Sequence, residues 1–423
     1  MANFCGFVQF DRSSLVRLAD WAAVVVAAAL PWSTSAVGIA IAVWLVILLP
    51  SLDAGTVKRA LATPAGGFAG VLWCLGVLGM LWADVSWHDR IAGLNSFFRL
   101  LAIPLLLAQF HRSENGIWVV RGFFISSVAV LIASYAIVLI LGHRSDLVDG
   151  VRLHGVDGVP VHDTIFQGSE FLICGFGALG YAALTRGKRG GRWPTADLAT
   201  GMLFLINFTV ATVSRAALAI APVLLLLLGW RLFRWKGVLI SVLLAVVAGS
   251  AMWFASAVLR DRVAQTVVEM QEYRTTHKAT SIGEHIAFLK ESLAIIASAP
   301  IIGHGTGSIT EEFRHITAGK KGVSTLPTVN PHNQTFAVAI QLGLVGTVAL
   351  WAMWIAHVAL FSGQGAVAWL GLVVVTENIL SSTVHSHLFD FNNGWLYVFG
   401  VGVLGGTILA ERDDATKKTE LDG

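Results

Sequence analysis

From residue 198 to residue 230 the chain is almost continuously apolar, interrupted near its middle by Ser214-Arg215. A run of that kind has few places to go. About 20 mostly apolar residues cross a bilayer as a helix, and every backbone polar group in lipid must be satisfied by a helix or a closed barrel. The run is long for one crossing and short for two, so Ser214-Arg215 is its natural divider. Further stretches of the same kind recur along the chain. The full set of expected spans is 16–32, 35–50, 65–83, 91–110, 116–141, 164–184, 198–213, 215–230, 237–257, 334–361, 364–380 and 394–410. The expected fold is an all-α polytopic membrane protein of about twelve transmembrane helices.

Composition agrees. Charged residues make up 13% of the 423 and hydrophobic ones 55%, with a mean hydropathy of +0.71, whereas a soluble chain carries about 25% charge. Too little charge remains to coat a water-facing surface, which excludes soluble enzymes, secreted disulfide scaffolds and disordered tails. A net charge of +3 gives no basis for a polyanion-binding domain, and no nucleic acid is expected as a partner. Cys5, Cys74 and Cys174 lie in or beside apolar stretches without C-x-x-C spacing, against redox or zinc-thiolate chemistry.

Lys and Arg in short loops mark the cytoplasmic side. Counted through twelve spans, Arg12, Arg17, Lys58, Arg59, Arg112, Arg186, Lys188, Arg189, Arg192, Arg231, Arg234, Lys236, Lys417 and Lys418 share one side, while the other holds only Arg90, Arg144, Arg152 and Arg215. Both termini are therefore expected in the cytoplasm and the one long connection outside it. The organisation that follows is nine spans within 1–257, an outer loop domain at 258–333, three spans within 334–410 and a cytoplasmic tail at 411–423.

The long loop is expected to be ordered. Residues 256–273 read as an amphipathic helix with Leu259, Val263, Val267 and Met270 on one stripe. Ser281 with Glu284 forms a capping box for a second helix, whose apolar face is read as Ile286, Leu289, Leu293 and Ile296 and whose end is marked by Pro300. Such faces lie in the membrane interface or pack on neighbouring spans.

Several residues invite a chemical reading. An arginine at a helix centre in lipid costs at least about 2.5 kcal/mol, so Arg215 either snorkels to the outer interface or serves as an anion site, its fork suiting phosphate oxygens. Ser214 caps the following helix and points backbone donors the same way. Arg99 is a weaker candidate of the same type. Arg260 and Arg262 open the outer loop, as snorkelling side chains or, for Arg262 above all, as a second phosphate contact. Gly303-His-Gly-Thr-Gly-Ser308 lacks the Gly-Lys-Ser/Thr ending of a nucleotide loop and reads as a tight turn. His385, His387 and Asp390 match no fixed metal spacing and read mainly as interfacial hydrogen-bonding groups.

His332 is the sharpest signal. Asn330-Pro331-His332-Asn333 closes the outer loop and starts a span, with Asn333 as a natural cap. The positive end of the helix dipole disfavours imidazolium there, so a neutral, basic His332 is expected near pH 7. At about 100° per residue, Gly343 returns to the face below His332 and Gly346 lies close beside it. That bare face would take either a packed neighbouring helix or a lipid chain.

These motifs resemble the O-antigen ligase family. His332-Asn333 followed by Gly343-x-x-Gly346 is similar to the family's outer-loop signature, Thr212-Val-Ser214-Arg215 to its Ser-Arg element, and Ser281-Ile-Gly283 with Pro300-Ile-Ile-Gly-His-Gly-Thr-Gly-Ser308 to its loop. The resemblance covers about 200–350. One departure is His285, where relatives carry an arginine. Membership implies a metal-independent, inverting glycosyltransferase of the GT-C class, without cofactor, in the Gram-negative inner membrane with its active site facing the periplasm. It implies transfer of O-antigen polysaccharide from undecaprenyl diphosphate to the lipid A–core oligosaccharide. In those terms His332 is the general base, Arg215, Arg262, Arg260 and Ser214 hold the donor diphosphate, and Asn333, Gly343 and Gly346 support them. Other readings are an O-antigen polymerase, a protein O-oligosaccharyltransferase and, more remotely, a lipid-linked glycan transporter.

Overall fold

The computed structural model describes residues 12–141, 158–187, 194–211, 214–276, 281–319 and 328–422. Among these residues every regular element is helical: α1 (Arg12–Ala29), α2 (Thr34–Ser51), α3 (Ala54–Ala62), α4 (Pro64–Gly79), α5 (Trp87–Phe98), α6 (Ala102–Phe110), α7 (Gly116–Leu141), α8 (Thr164–Thr185), α9 (Thr195–Val210), α10 (Arg215–Ala255), α11 (Ala257–Thr276), α12 (Ser281–Ser298), α13 (Ile309–Thr317), α14 (Gln334–Leu360), α15 (Ala366–Ser381) and α16 (Phe391–Asp422), with a short 3₁₀ turn at Arg99–Leu101 joining α5 to α6. Arg144, Arg152, Lys188, Arg189, Arg192, Thr212 and Val213, on which part of the orientation and family readings rest, lie outside the described residues.

The helix starts are written in the sequence. Ser33, Asp53, Thr63, Asp163, Ser214 and Asn333 each turn a side-chain oxygen onto an amide of the following first turn, which satisfies donors that no carbonyl can reach. The surface between helix ends is apolar: Val46, Leu139 and Phe254 are 73%, 82% and 79% exposed. An exposed apolar belt of that extent suits lipid rather than water, and the chain is an all-helical polytopic membrane protein.

All twelve expected stretches fall on helices, yet by length and apolarity six helical stretches are fit to cross a membrane, or seven if the bent α3–α4 pair counts as one. The difference has physical causes. Helix α1 carries Arg12, Arg17 and Asp20, and α8 carries Gln167 and Glu170. Helices α9 and α15 are only 16 residues long. Helix α10 is two helices: Arg234 breaks it at φ 55°, ψ −138°. The halves fold back on one another, with Gly229 against Gly237 where no Cβ fits, and Ser241 Oγ donating to the Leu225 carbonyl at 2.9 Å.

The bundle interior is satisfied where it is polar. Buried Asp20 accepts from Gln109 Nε2 at 2.9 Å, Ser113 Oγ at 2.6 Å and Asn115 Nδ2 at 2.9 Å, while Gln109 Oε1 takes the indole N–H of Trp44 at 2.9 Å. This network ties α1, α2 and α6 together. Arg99 donates to the backbone carbonyl of Asp390, pinning α5 to the start of α16.

One expectation about the loop region is corrected. Helix α14 breaks at Gly343 (φ 60°, ψ −152°), so the angular arithmetic that placed Gly343 and Gly346 on one bare face below His332 does not apply. The break is filled by the Pro300–Gly307 turn. Leu344 N donates to Pro300 O at 2.8 Å and Val345 N to Ile301 O at 3.2 Å, while His304 N and Gly305 N reach Ile340 O and Gln341 O at 2.9 and 2.8 Å. A Cβ on Gly343 would meet the Ile301 backbone, and one on Gly346 would meet Leu342 and Val338. Neither a lipid groove nor a packed helix lies there; a backbone turn does, with positive φ at Gly303, Gly305 and Gly307. On α12 the apolar stripe read from the sequence is divided, with Ile296 packed against the loop cluster and Leu289 and Leu293 open, as a face in the membrane interface would be. Phe288 and Ile295 pack with Ile309 and Phe313 of α13 and with Ala337 and Ile340 of α14. Val263 and Val267 of α11 are likewise exposed. Helix α12, with α13, therefore docks on α14, while α11 packs on α12, α10 and α9.

Candidate active site

Arg215 and His332 line one cavity of about 620 Å³, together with Ser214, Glu269, His285 and His385. Its walls come from the starts of α8, α10 and α14, the loop helices α11 and α12, and the turn after α15. What brings these together is a set of backbone bonds at the start of α14. Asn333 caps the helix through Phe336 N at 3.1 Å and donates Nδ2 to Thr383 O at 3.0 Å, and Gln334 N donates to Ser382 O at 2.9 Å. These stitch the start of α14 to the turn that carries His385.

His332 sits in the left-handed region, φ 54°, which a non-glycine residue adopts at a cost of roughly 1–2 kcal/mol. The bond from His332 N to Asn330 Oδ1 at 2.9 Å holds it there, and Asn330 is itself held by Thr328, with N to Thr328 Oγ1 at 3.1 Å and O from Thr328 Oγ1 at 2.8 Å. Phe288 lies nearly parallel to the ring, 5.9 Å between centroids, and His285 meets it edge-on at 4.7 Å. Nδ1 of His332 lies 3.4 Å from Nδ1 of His385.

Burial, and next the like charge that His285 and His385 would carry, push the His332 pKa down to about 4. Desolvation, rather than the helix dipole invoked from the sequence, is the leading cause of that lowering. His385 is pushed down to about 4 and buried His387 to about 3, both first by burial. His285 is lowered by burial and then by the Arg215 guanidinium. Three imidazoles so close cannot all be cationic, and among the described lining residues the fixed cation is Arg215.

Arg215 is paired. Its Nη2 and Nη1 lie 3.2 and 3.4 Å from Glu269 Oε1 and Oε2. The side chain is 36% exposed and lines the cavity. Ser214 caps α10 through Ala217 N at 3.1 Å. Arg260 is not in the cavity: its Nη1 donates to Trp253 O at 2.7 Å and Phe254 O at 3.1 Å. A guanidinium one turn past a helix end is spent on that helix's last carbonyls, which corrects its placement at the diphosphate. The Arg262 side chain lies outside the described residues.

Sequence reasoning missed Glu269 as the partner of Arg215, and left His385 without a role beside His332. His285 and Phe288 stand three residues apart, one face of a helix, so that pairing was there to be read; Glu269 and His385 gave no local signal. Among the described residues no group of three His, Cys, Asp or Glu is arranged to hold a metal ion.

The fold and this cavity define a class: a polytopic helical membrane protein whose uncharged, half-buried histidine shares a pocket with an arginine. Residues 200–351 match the O-antigen ligase family model, and over that stretch the chain carries the O-antigen ligase domain. That stretch is the one the motif resemblance covers. Among curated proteins none matches the chain.

Proposed function

We propose that the protein is an inverting, metal-independent glycosyltransferase of the GT-C class, an O-antigen ligase of the Gram-negative inner membrane. It moves O-antigen polysaccharide from undecaprenyl diphosphate to a sugar of the lipid A–core oligosaccharide at the periplasmic face. The observation that carries this reading is the shared cavity of His332 and Arg215, on helices far apart in the chain.

Neutral His332 takes the proton of the acceptor hydroxyl, whose oxygen attacks the anomeric carbon of the donor sugar. The bond from that carbon to the diphosphate oxygen breaks, and undecaprenyl diphosphate leaves with its bonding pair and the added negative charge. Arg215 meets that charge, a stabilisation worth most in a partly desolvated site. The Glu269 carboxylate engages the Nη pair of a guanidinium that has five N–H donors, so further donors remain for phosphate oxygens. His385 orients the base. With both rings neutral, His332 Nδ1–H donates to His385 Nδ1 and leaves the Nε2 lone pair for the acceptor.

The twelve crossings expected from the sequence fit the same reading: counted that way, 258–333, the ends of α8 and α10 near Thr164 and Ser214, and the turn after α15 fall on one side of the membrane, and each contributes residues to the cavity. Purified protein in nanodiscs, given the undecaprenyl-linked donor with lipid A–core, with free O-antigen chains or with a Ser-containing peptide, tests the reading. Product on lipid A–core is expected. Product on O-antigen alone would make the protein a polymerase, and on the peptide a protein oligosaccharyltransferase.

Two further results are expected of this mechanism. Chelator leaves the transfer rate unaltered, because Arg215 supplies the cationic charge at the diphosphate; loss in chelator with recovery in one particular divalent metal would overturn that. His385→Ala lowers the rate about tenfold, a few-fold to an order of magnitude being the typical reach of an orienting hydrogen bond. It also removes one of the charges that depress the His332 pKa. The acid limb of kcat/KM therefore moves to higher pH, and His385→Asn, which keeps an acceptor, restores part of the rate. An unmoved pH profile in His385→Ala would reduce His385 to packing.

A further inference from the structure

A second cavity, of about 520 Å³, lies on the other side of the Asn330–His332 segment, and Pro331 lines both. Its chemistry is the reverse of the first. Asp89 and Asp390 bring carboxylates, Ser96 and Thr310 hydroxyls, and Phe389 and Phe391 rings; among the described residues none that lines it is Lys, Arg or His, although Arg99 stands beside Asp390 and His88 and Arg314 act on Asp89. Buried Ser386, 3% exposed, also lines it, and its hydroxyl has no hydrogen-bond partner among the described residues. A buried hydroxyl with no protein partner is rare and calls for an explanation, although the Ser386 oxygen itself is closed over by its neighbours.

The walls are rigid. Gly307 N donates to Gln341 Oε1 at 2.8 Å, and Thr306 N donates to Gly79 O at 3.0 Å. Gly93 abuts Gly307 so closely that no Cβ fits between them. The carboxylates are oriented with lone pairs to spare: Asp390 Oδ1 takes Asn393 N at 2.9 Å and Nδ2 at 3.0 Å, and Asp89 Oδ2 takes Ser86 Oγ at 2.6 Å. Pre-set acceptors beside aromatic faces, in a volume within the usual range for small ligands, suit vicinal hydroxyls and the apolar faces of sugar rings. Asn330 connects the two cavities, because it lines this one and its Oδ1 holds His332 N at 2.9 Å.

We infer that this cavity is a saccharide subsite for an uncharged, hydroxyl-rich stretch of a few sugar rings, held next to the base while the anionic part of the donor occupies the Arg215 cavity. The inference rests on the transfer reading for the identity of the saccharide, not for its binding. Two sources share the chemistry, the core oligosaccharide of the acceptor and the glycan of the donor.

Saturation-transfer NMR on the full-length protein tests it without turnover, using two probes: dephosphorylated core oligosaccharide released from lipid A, and the free O-antigen repeat-unit oligosaccharide. At least one probe is expected to bind, and the one that does names the source. Ser96→Trp and Thr310→Trp fill the cavity from opposite walls and should each weaken that binding at least about tenfold. Asp89→Asn, which leaves the volume unchanged, should weaken it a few-fold even if a tryptophan variant fails to fold, and Arg215→Ala should leave it intact. Binding by neither probe, or binding indifferent to all three cavity variants, overturns the subsite. If wild-type protein shows no transfer while the probe binds and is lost from the filled cavity, the subsite stands and the transfer reading falls.

Discussion

His332→Ala should remove transfer by a factor of 10²–10⁴, the usual contribution of a general base, in a protein that still folds and still binds the diphosphate-linked donor. The backbone at this residue makes the choice of variant matter. His332 is left-handed, φ 54°, a conformation that Asn tolerates far better than Ala. His332→Asn therefore removes the base without adding backbone strain, and the two variants should lose rate equally. If alanine alone were inactive, the loss would belong to the turn and not to the imidazole. Either variant retaining more than about a tenth of the wild-type rate would place the base elsewhere. The pH profile carries the same argument. A base held at about 4 by burial and by neighbouring imidazoles is neutral, and so competent, across pH 5–8. Activity is present above that pKa and lost as pH falls through it, so kcat/KM of the free enzyme should stay level down to about pH 5. Once the diphosphate anion is bound, its charge favours the imidazolium, and the acid limb of kcat should lie at higher pH than that of kcat/KM.

How far the site could be read from the sequence follows from the range of the forces involved. Apolar runs mark helices, and Ser214 and Asn333 mark two helix starts; both signals are local and both fall on helices of the structure, although six or seven helical stretches rather than twelve are fit by length and apolarity to cross a membrane. Arg215 and His332 stood out for local reasons too, one as a charge in an apolar run and the other as a histidine before a cap. The errors are all tertiary. The break of α14 at Gly343 exists because the Pro300–Gly307 turn supplies the missing backbone partners, which no periodicity within α14 reveals. On α12, Leu289 and Leu293 are exposed while smaller Ala287, with Phe288, is buried, so the docking face adjoins the stripe read from the sequence. Side-chain size says little about which face docks in a chain whose outer surface is also apolar. Arg260 was misjudged because its nearest unsatisfied acceptors, the last carbonyls of α10, were not counted. Glu269 and His385 reach the site only through docking of α11 and of the turn after α15.

Arg215→Ala should lower transfer by about 10²–10³-fold, as removing one well-placed donor to a developing anion does, and Arg215→Lys should keep only part of the rate, since an ammonium is a point charge that cannot fork onto a diphosphate. The Glu269 pair makes a sharper expectation possible. In Arg215→Ala the Glu269 carboxylate remains at the cavity wall and loses the Arg215 guanidinium, 3.2 Å away in the wild type, so a negative charge now faces the leaving diphosphate. Part of the measured loss is therefore repulsion rather than missing attraction. Arg215→Ala with Glu269→Gln removes that charge and should recover about tenfold over Arg215→Ala alone, without reaching the wild-type rate. Glu269→Gln by itself keeps the cation and frees its fork, so donor KM should fall or stay level. High salt weakens exposed ion pairs and should reduce the difference between the single and double variants. Near-normal turnover in Arg215→Ala, with protein level unchanged, would reduce Arg215 to an anchor for α11. Equal rates for Arg215→Ala and the double variant would mean that the Glu269 charge does not face the diphosphate.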